Sequence, residues 1–299
     1  MKKYVEYKKA ICYSGYRTGQ SPKTNVIPSK EEIREDLHIL ADEGFEYIRM
    51  YDPNDHARRA LEVIKEDKLN MKVLLGVDNF PEYNNPDCPF EKQERTEEEL
   101  AANAKRNDEE VLKLIEMVKE FPDEILAVSV GNESTPVWGA RNVKPERLME
   151  HAKQMREALG KPITFCEGVH EWPHLIELGN YLDFISVHSY PLHYGNTIDE
   201  AIDVNKANIE SVEKLFPDKQ VISTEMGWTT MTNSAMKPGQ ANVQNQERYI
   251  RELTKWMDEK QLTVFIFEAF DEPWKGSLPT KSECNWGLYT VDRKRKWNW

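Results

Sequence analysis

Ile125-Leu126-Ala127-Val128-Ser129-Val130 runs without a break into Gly131-Asn132-Glu133. A short apolar, β-branched run that stops at a glycine and two polar residues reads as a buried strand ending in a turn. Runs of the same kind recur at residues 10–13, 47–51, 72–77, 163–166, 184–187, 220–224 and 263–268, with longer helical patterns between them. That alternation marks repeated βα units and a parallel sheet. Eight units in 299 residues is about 37 residues each, enough for a strand, a helix and two loops. The expected fold is α/β, a single closed (β/α)8 or TIM barrel, with residues 1–299 as one catalytic domain and no linker or composition shift dividing it.

The helices carry their own punctuation. Ser29 followed by Glu32 is a capping box, opening a helix whose Ile33, Leu37 and Leu40 share a face and which stops at Gly44. Asn54 opens the next, with Ala57, Leu61 and Ile64 on the apolar face. Further helices are expected at 97–121, 145–159, 198–216 and 240–260. The polar stretch 79–96 reads as a loop over the barrel mouth.

Composition narrows the function. Hydrophobic residues make up 39% and charged residues 31%, ordinary values for a globular chain. Lys plus Arg number 40 against 52 Asp plus Glu, and a net charge of −12 disfavours nucleic acid and anionic membranes as partners. No run approaches the roughly 18 apolar residues of a membrane span, and the first residues hold no apolar signal-peptide core. Cys12, Cys88, Cys166 and Cys284 stand far apart, without a C-x-x-C, and read as mostly buried thiols.

Chemistry in such a barrel sits where the strands end. Two of those ends are glutamates: Glu133 after the fourth strand and Glu225 in Ser223-Thr224-Glu225-Met226-Gly227-Trp228 after the seventh. Two carboxyls facing one cleft are the minimum apparatus for cleaving a glycosidic bond. Tyr51, Asp52 and Asn79, at the ends of the second and third strands, are placed to line the mouth. His188, ending the sixth strand, is a cleft hydrogen-bonder, with Tyr190 beside it. Trp228, Trp274 and Trp286 follow strand ends, where an indole stacks on the apolar face of a sugar.

Two rivals were weighed. His170 with His174, placed in a helix, and His188 with His193 invite a metal-dependent barrel hydrolase, yet there is no H-x-H after the first strand and no H-E-x-x-H. A non-catalytic glucan-binding barrel would lack one carboxylate. Neither G-x-G-x-x-G, nor a P-loop, nor G-x-S-x-G occurs, so no metal and no cofactor are expected.

Val130-Gly131-Asn132-Glu133 and Ser223-Thr224-Glu225-Met226-Gly227-Trp228 resemble the acid/base and nucleophile signatures of glycoside hydrolase family 17, the β-1,3-glucanases and β-1,3-glucanosyltransferases. Residues 15–22 resemble the opening of its bacterial members, and Ile48-Arg49-Met50-Tyr51-Asp52-Pro53 its second-strand motif. Residues 267–275 and 283–289 resemble its eighth strand and the loop after it. The resemblance implies a retaining β-1,3-glucan (laminarin-type) hydrolase, with Glu133 as acid/base and Glu225 as nucleophile, carboxyls about 5 Å apart. It implies Asn132 on the sugar 2-hydroxyl, and Glu268, Glu272, Lys275 and Glu283 as a polar cluster in which Lys275 helps keep Glu225 charged. Glucanosyl transfer on the same scaffold is the alternative, and endo or exo action stays open. The expected partner is a neutral β-glucan met by a monomer. Localisation, secreted, periplasmic or cell-surface, is inferred from that substrate alone. The sixth-strand segment 187–191 departs from the plant form of the family.

Overall fold

A computed structural model of the chain describes residues 2–89, 92–276 and 281–298. Positions 90 and 91 of the mouth loop, and 277–280 in the loop after the eighth strand, lie outside the described residues. Eight parallel strands close on themselves in sequence order, β1 to β8, with β8 pairing back onto β1. They are β1 (Ala10–Cys12), β2 (Tyr47–Met50), β3 (Lys72–Leu75), β4 (Ile125–Asn132), β5 (Ile163–Gly168), β6 (Ile185–His188), β7 (Val221–Met226) and β8 (Val264–Ile266). Around them lie α1 (Lys30–Asp42), α2 (Asp55–Asp67), α3 (Glu97–Glu120), α4 (Pro145–Ala158), α5 (Ile176–Tyr181), α6 (Ile198–Leu215) and α7 (Val243–Lys260). The expected barrel is what forms.

Alternation within each strand builds two apolar layers. Ala10, Cys12, Tyr47, Leu74, Ala127, Cys166, Phe184, Ile222 and Phe265 fill the barrel, while Ile11, Ile48, Val128, Val130 and Val187 face the helices. Ser29 caps α1 as anticipated: its Oγ accepts from Glu32 N at 3.2 Å, and Glu32 Oε2 accepts from Ser29 N at 2.7 Å. Each such cap contributes about 1 kcal/mol.

β1, β2, β3 and β8 stop one or two residues before their apolar runs do, whereas the strands on the other side of the barrel run further. β4 continues through Asn132, β5 through Gly168 and β7 through Met226. Both glutamate-bearing strands also carry an extra residue. On β7, Ser223 pairs with Val264 and Met226 with Ile266, three steps against two. On β4, Ser129 pairs with Thr164 and Asn132 with Cys166, again three against two. Strict alternation from the inward Ile222 would turn Glu225 toward the helices, and from the inward Ala127 would do the same to Asn132. The bulges reverse the parity and aim both into the mouth.

One local expectation changes. His170 lies in a turn and His174 ends a 3-10 turn, Trp172–His174, because Pro173 cannot continue a helix there. After β8 the described residues form 3-10 turns at Pro273–Lys275 and Lys281–Cys284, and then a tail laid back on the barrel. Arg293 anchors that tail by donating to the buried Asp36 at 2.6 Å from both Nε and Nη2. The stretch 79–96 is a loop as read, bound to the loop after β4: Asn85 Nδ2 donates to the Val137 and Gly139 carbonyls at 2.8 and 2.9 Å. No helix among the described residues is long and apolar enough to cross a membrane.

Candidate active site

At the C-terminal mouth, β4, β6 and β7 bring Glu133, His188 and Glu225 together, with one potential ligand atom of each lying within 4.8 Å of the others. Glu225 is 6% exposed and receives donors on both oxygens. Tyr51 Oη donates to Oε1 at 3.0 Å and Tyr190 Oη to Oε2 at 2.5 Å. Arg49 Nη1 also donates to Oε1. Burial alone would push this carboxyl up; the His188 and Arg49 charges, with hydrogen bonds from Tyr190 and Arg49, outweigh it and hold the carboxyl at about 2. Glu225 is therefore an anion across the physiological range.

His188 is the counterpart. Burial pushes an imidazolium toward neutrality, but the Glu225 charge, then Cys166 and Glu133, raise it to about 10. Its Nδ1 lies 2.8 Å from Glu133 Oε1 and 3.7 Å from Glu225 Oε2, so a charged ring donates to Glu133 while sitting between the two carboxyls. Glu133 is more open, its side chain 28% exposed, and its φ is +43°. Asn132 Oδ1 accepts from Arg49 Nη2 at 2.5 Å, which fixes the amide and leaves Nδ2 free to donate outward.

Glu133, His188 and Glu225 are the one group of three potential metal ligands among the described residues. Their surroundings suit an ion poorly. Glu225 already accepts from a guanidinium and two phenols, and a cationic His188 has no lone pair to offer.

Around this centre the anticipated residues divide. Asp52 sits at the rim, accepting from Asp78 N at 3.0 Å, and burial with the neighbouring Asp78 charge pushes it up to about 7. Glu268, Glu272 and Lys275 do cluster on the opposite wall, where Lys275 Nζ pairs with both carboxylates and Ser14 Oγ donates to Glu272. Trp274, partly exposed, donates to Glu272 Oε1 at 3.1 Å and lies edge-on to Tyr16. Glu283 is at the rim, 4.0 Å from His193 Nε2.

Several expectations need correcting. Lys275 is spent on Glu268 and Glu272, so the cations that hold Glu225 charged are Arg49 and His188. Trp228 and Trp286 are completely buried and cannot stack on a sugar. Trp228 donates to the Gln240 carbonyl at 3.0 Å, and Trp286 backs Tyr190 at 5.2 Å between ring centres. Asn79, 1% exposed, packs beneath Gly131 and accepts from Ser134 Oγ at 2.8 Å; it supports the β4 end from below.

Four residues escaped the sequence reading. Arg49, 2% exposed, was quoted within a motif but given no role; a charge between Ile48 and Met50 in an apolar run was the available signal. Glu167 is the last residue but one of β5, close to Glu133 just past the end of β4, and is wholly buried. Tyr194, 55% exposed, and Trp138, 45% exposed, stand on the loops after β6 and β4. Tyr194 meets His170 edge-on at 5.0 Å, and the Glu133 and Glu167 carboxyls help raise its hydroxyl, after burial, which puts it on the Glu133 side of the mouth.

Comparison with known proteins agrees with this geometry. A glucan 1,3-beta-glucosidase of Arthroderma benhamiae is 27% identical over 197 residues, 59% of this chain and 61% of that protein. A probable glucan endo-1,3-beta-glucosidase, btgC, of Aspergillus clavatus is 25% identical over 294 residues, 90% of this chain and 39% of that protein. The chain thus spans about three fifths and two fifths of these relatives' lengths. Among solved structures, an endo-laminarinase from Formosa Hel1_33_131 superposes with a TM-score of 0.78 at 25% identity, over 96% of this chain and 84% of that one. A family 17 β-1,3-glucanosyltransferase from Rhizomucor miehei gives 0.75 at 21% identity, over 97% and 95%, a likeness of fold. The model of the BtgE/BtgC glycoside hydrolase domain matches residues 10–287, nearly the whole barrel, and the chain belongs to that family.

Proposed function

We propose that residues 1–299 act as one catalytic domain, a retaining hydrolase of β-1,3-glucan in which Glu225 is the nucleophile and Glu133 the general acid/base. The observation that carries this reading is the pairing of an anion dressed by Arg49, Tyr51 and Tyr190 with a more open carboxyl, oxygens within 4.8 Å. That spacing suits the roughly 5 Å of retention and leaves no room for a water between carboxylate and sugar.

In the first step Glu225 attacks the anomeric carbon as the glycosidic bond breaks, and Glu133 gives its proton to the departing oxygen. Asn132 Nδ2 donates to the 2-hydroxyl, a contact that strengthens as charge develops on the ring. In the second step Glu133, now a carboxylate, takes a proton from a water that attacks the same carbon, and Glu225 departs as a carboxylate. A sugar hydroxyl in place of water makes the event a transfer; the half-exposed Tyr194 ring, edge-on to His170 on the loop after β6, offers a face on which an acceptor sugar would stack.

The relatives' names, a glucan 1,3-beta-glucosidase and an endo-laminarinase, support a neutral β-1,3-glucan as substrate. A net charge of −12 does not hinder an uncharged polymer. Such a substrate lies outside cells, which supports a secreted or surface setting, and the named relatives include a cell surface mannoprotein of Candida albicans. Membership of the bacterial branch rests on the motif at 15–22 alone.

The test is the product profile on laminarin and laminari-oligosaccharides. Shorter sugars only mean hydrolysis, and longer ones mean transfer. Glu225→Gln should abolish turnover, and Glu133→Gln should slow it about 10²–10⁴-fold, with azide restoring only the Glu133 variant. Activity near wild type in either variant removes the assignment.

A further inference from the structure

Glu167 has no part in the chemistry described above, yet it is the most deeply buried carboxyl on the Glu133 side of the mouth. It is the last residue but one of β5, beside the β4 terminus, and is 0% exposed. Oε2 accepts from Thr135 N at 3.1 Å and from Thr135 Oγ1 at 2.8 Å, and Oε1 accepts from Gly168 N at 2.7 Å. Thr135 lies two residues beyond Glu133, so the carboxyl ties down the turn that presents the acid/base.

That turn needs holding. Glu133 has φ +43°, in the left-handed region, where a non-glycine residue costs about 1–3 kcal/mol unless its surroundings enforce it. Glu133 N donates to the Cys166 carbonyl at 2.9 Å, from the residue before Glu167. The β5 end thus grips both sides of the strained position, the backbone at 133 and the hydroxyl and amide at 135.

We propose that Glu167 is the positioning residue of the acid/base: it anchors the turn that aims Glu133 at the leaving group. This rests on reading Glu133 as the acid/base. The charged and titratable groups facing Glu167 are Glu133 from β4, His188 from β6 and Tyr194 from the loop after β6. Burial and then the Glu133 charge push Glu167 up to about 8, against the smaller opposing pulls of the Gly168 amide, Thr135 and His188.

Glu167→Gln keeps an amide oxygen for Thr135 and should retain most of the kcat on laminarin. Glu167→Ala frees the turn and should cost about 10²-fold in kcat on laminarin. The loss should be far smaller on a dinitrophenyl laminarioligoside, whose leaving group needs no proton. If the alanine variant does not fold, Thr135→Val, which removes only the hydroxyl donor, gives the same substrate contrast at smaller size. Equal losses on both substrates overturn the proposal. Carbon-13 titration of the glutamate δ-carboxyls separates this from a failure of the functional reading. A resonance with a midpoint near 8, assigned by its loss in Glu167→Gln, should shift down in Glu133→Gln whether or not laminarin is cleaved. A midpoint that stays put in Glu133→Gln refutes the placement of Glu167 against Glu133.

Discussion

Replacing Arg49 with methionine removes a buried cation whose two nitrogens reach Glu225 Oε1 and Asn132 Oδ1. An ordinary glutamate at 4.5 is held at about 2 in this site. At 1.36 kcal/mol per unit, the donors and charges favour the Glu225 anion by about 3 kcal/mol net of its burial. His188 remains in the variant, so the carboxyl should climb part of the way, by about 1–2 units. The acid limb of kcat/KM on laminarin should therefore rise from near pH 2 to about pH 3–4. Stability should fall by about 3–5 kcal/mol at neutral pH, the usual result of stranding one member of a buried pair.

The sign of the pH dependence is fixed. A depressed carboxyl stabilises the fold above its unfolded value, near 4.5, and that contribution disappears as pH falls toward 2. The stability gap between wild type and Arg49→Met should thus narrow on acidification, which urea titrations from pH 7 down to 3 would follow. Arg49→Lys separates charge from geometry: it should keep the acid limb low while losing kcat, because one ammonium cannot serve Glu225 and Asn132 at once. An Arg49→Met enzyme with the wild-type acid limb and a stability loss under about 1 kcal/mol would refute the reasoning.

Three other outcomes follow from single features of the structure. His188 is raised from 6.5 to about 10, so its ion pairs stabilise fully below 6.5 and are lost as pH rises through 10; urea midpoints of His188→Gln should decline less than wild type across that window. Gly227→Ala would put a Cβ 2.0 Å from the Phe267 carbonyl oxygen and should cost about 3 kcal/mol, whereas Gly160→Ala, with open space around it, should stay within about 0.5 kcal/mol in the same thermal melts. Tyr194→Ala should weaken acceptor binding about 3–10-fold if the ring stacks on the leaving sugar, lowering the ratio of transfer to hydrolysis at fixed oligosaccharide concentration.

The barrel could be read from the sequence because each strand is covered on both faces, which selects unbroken apolar runs at a regular interval. The same rule misplaced the strand ends. Asn132, Glu167, His188, Glu225 and Met226 continue the ladders after apolar character fades, since in the mouth a polar side chain is satisfied by its neighbours across the barrel. Arg49 shows why partners matter more than residue type: in sequence it looks like an interruption in a strand, and only closure of the barrel brings β2 opposite β7 and makes it the counter-charge of Glu225. No local pattern in residues 47–52 specifies that meeting.

The tryptophans argue the converse. Trp228 and Trp286 follow strand-end motifs as a sugar platform would, but Gln246 of α7, itself completely buried, donates its amide to the Trp228 and Trp286 carbonyls at 2.7 and 3.1 Å and to Gly287 at 3.2 Å. One side chain on the outer helix thereby fastens the segments after β7 and β8 together and draws both indoles inward. Trp286 then packs edge-on against Tyr190, whose hydroxyl reaches Glu225. Trp286 thus bears on the site at one remove, by fixing the phenol that holds Glu225. The half-exposed rings of Trp138 and Tyr194 stand on the loops after β4 and β6, which is where a ring must stand if a ligand is to cover it.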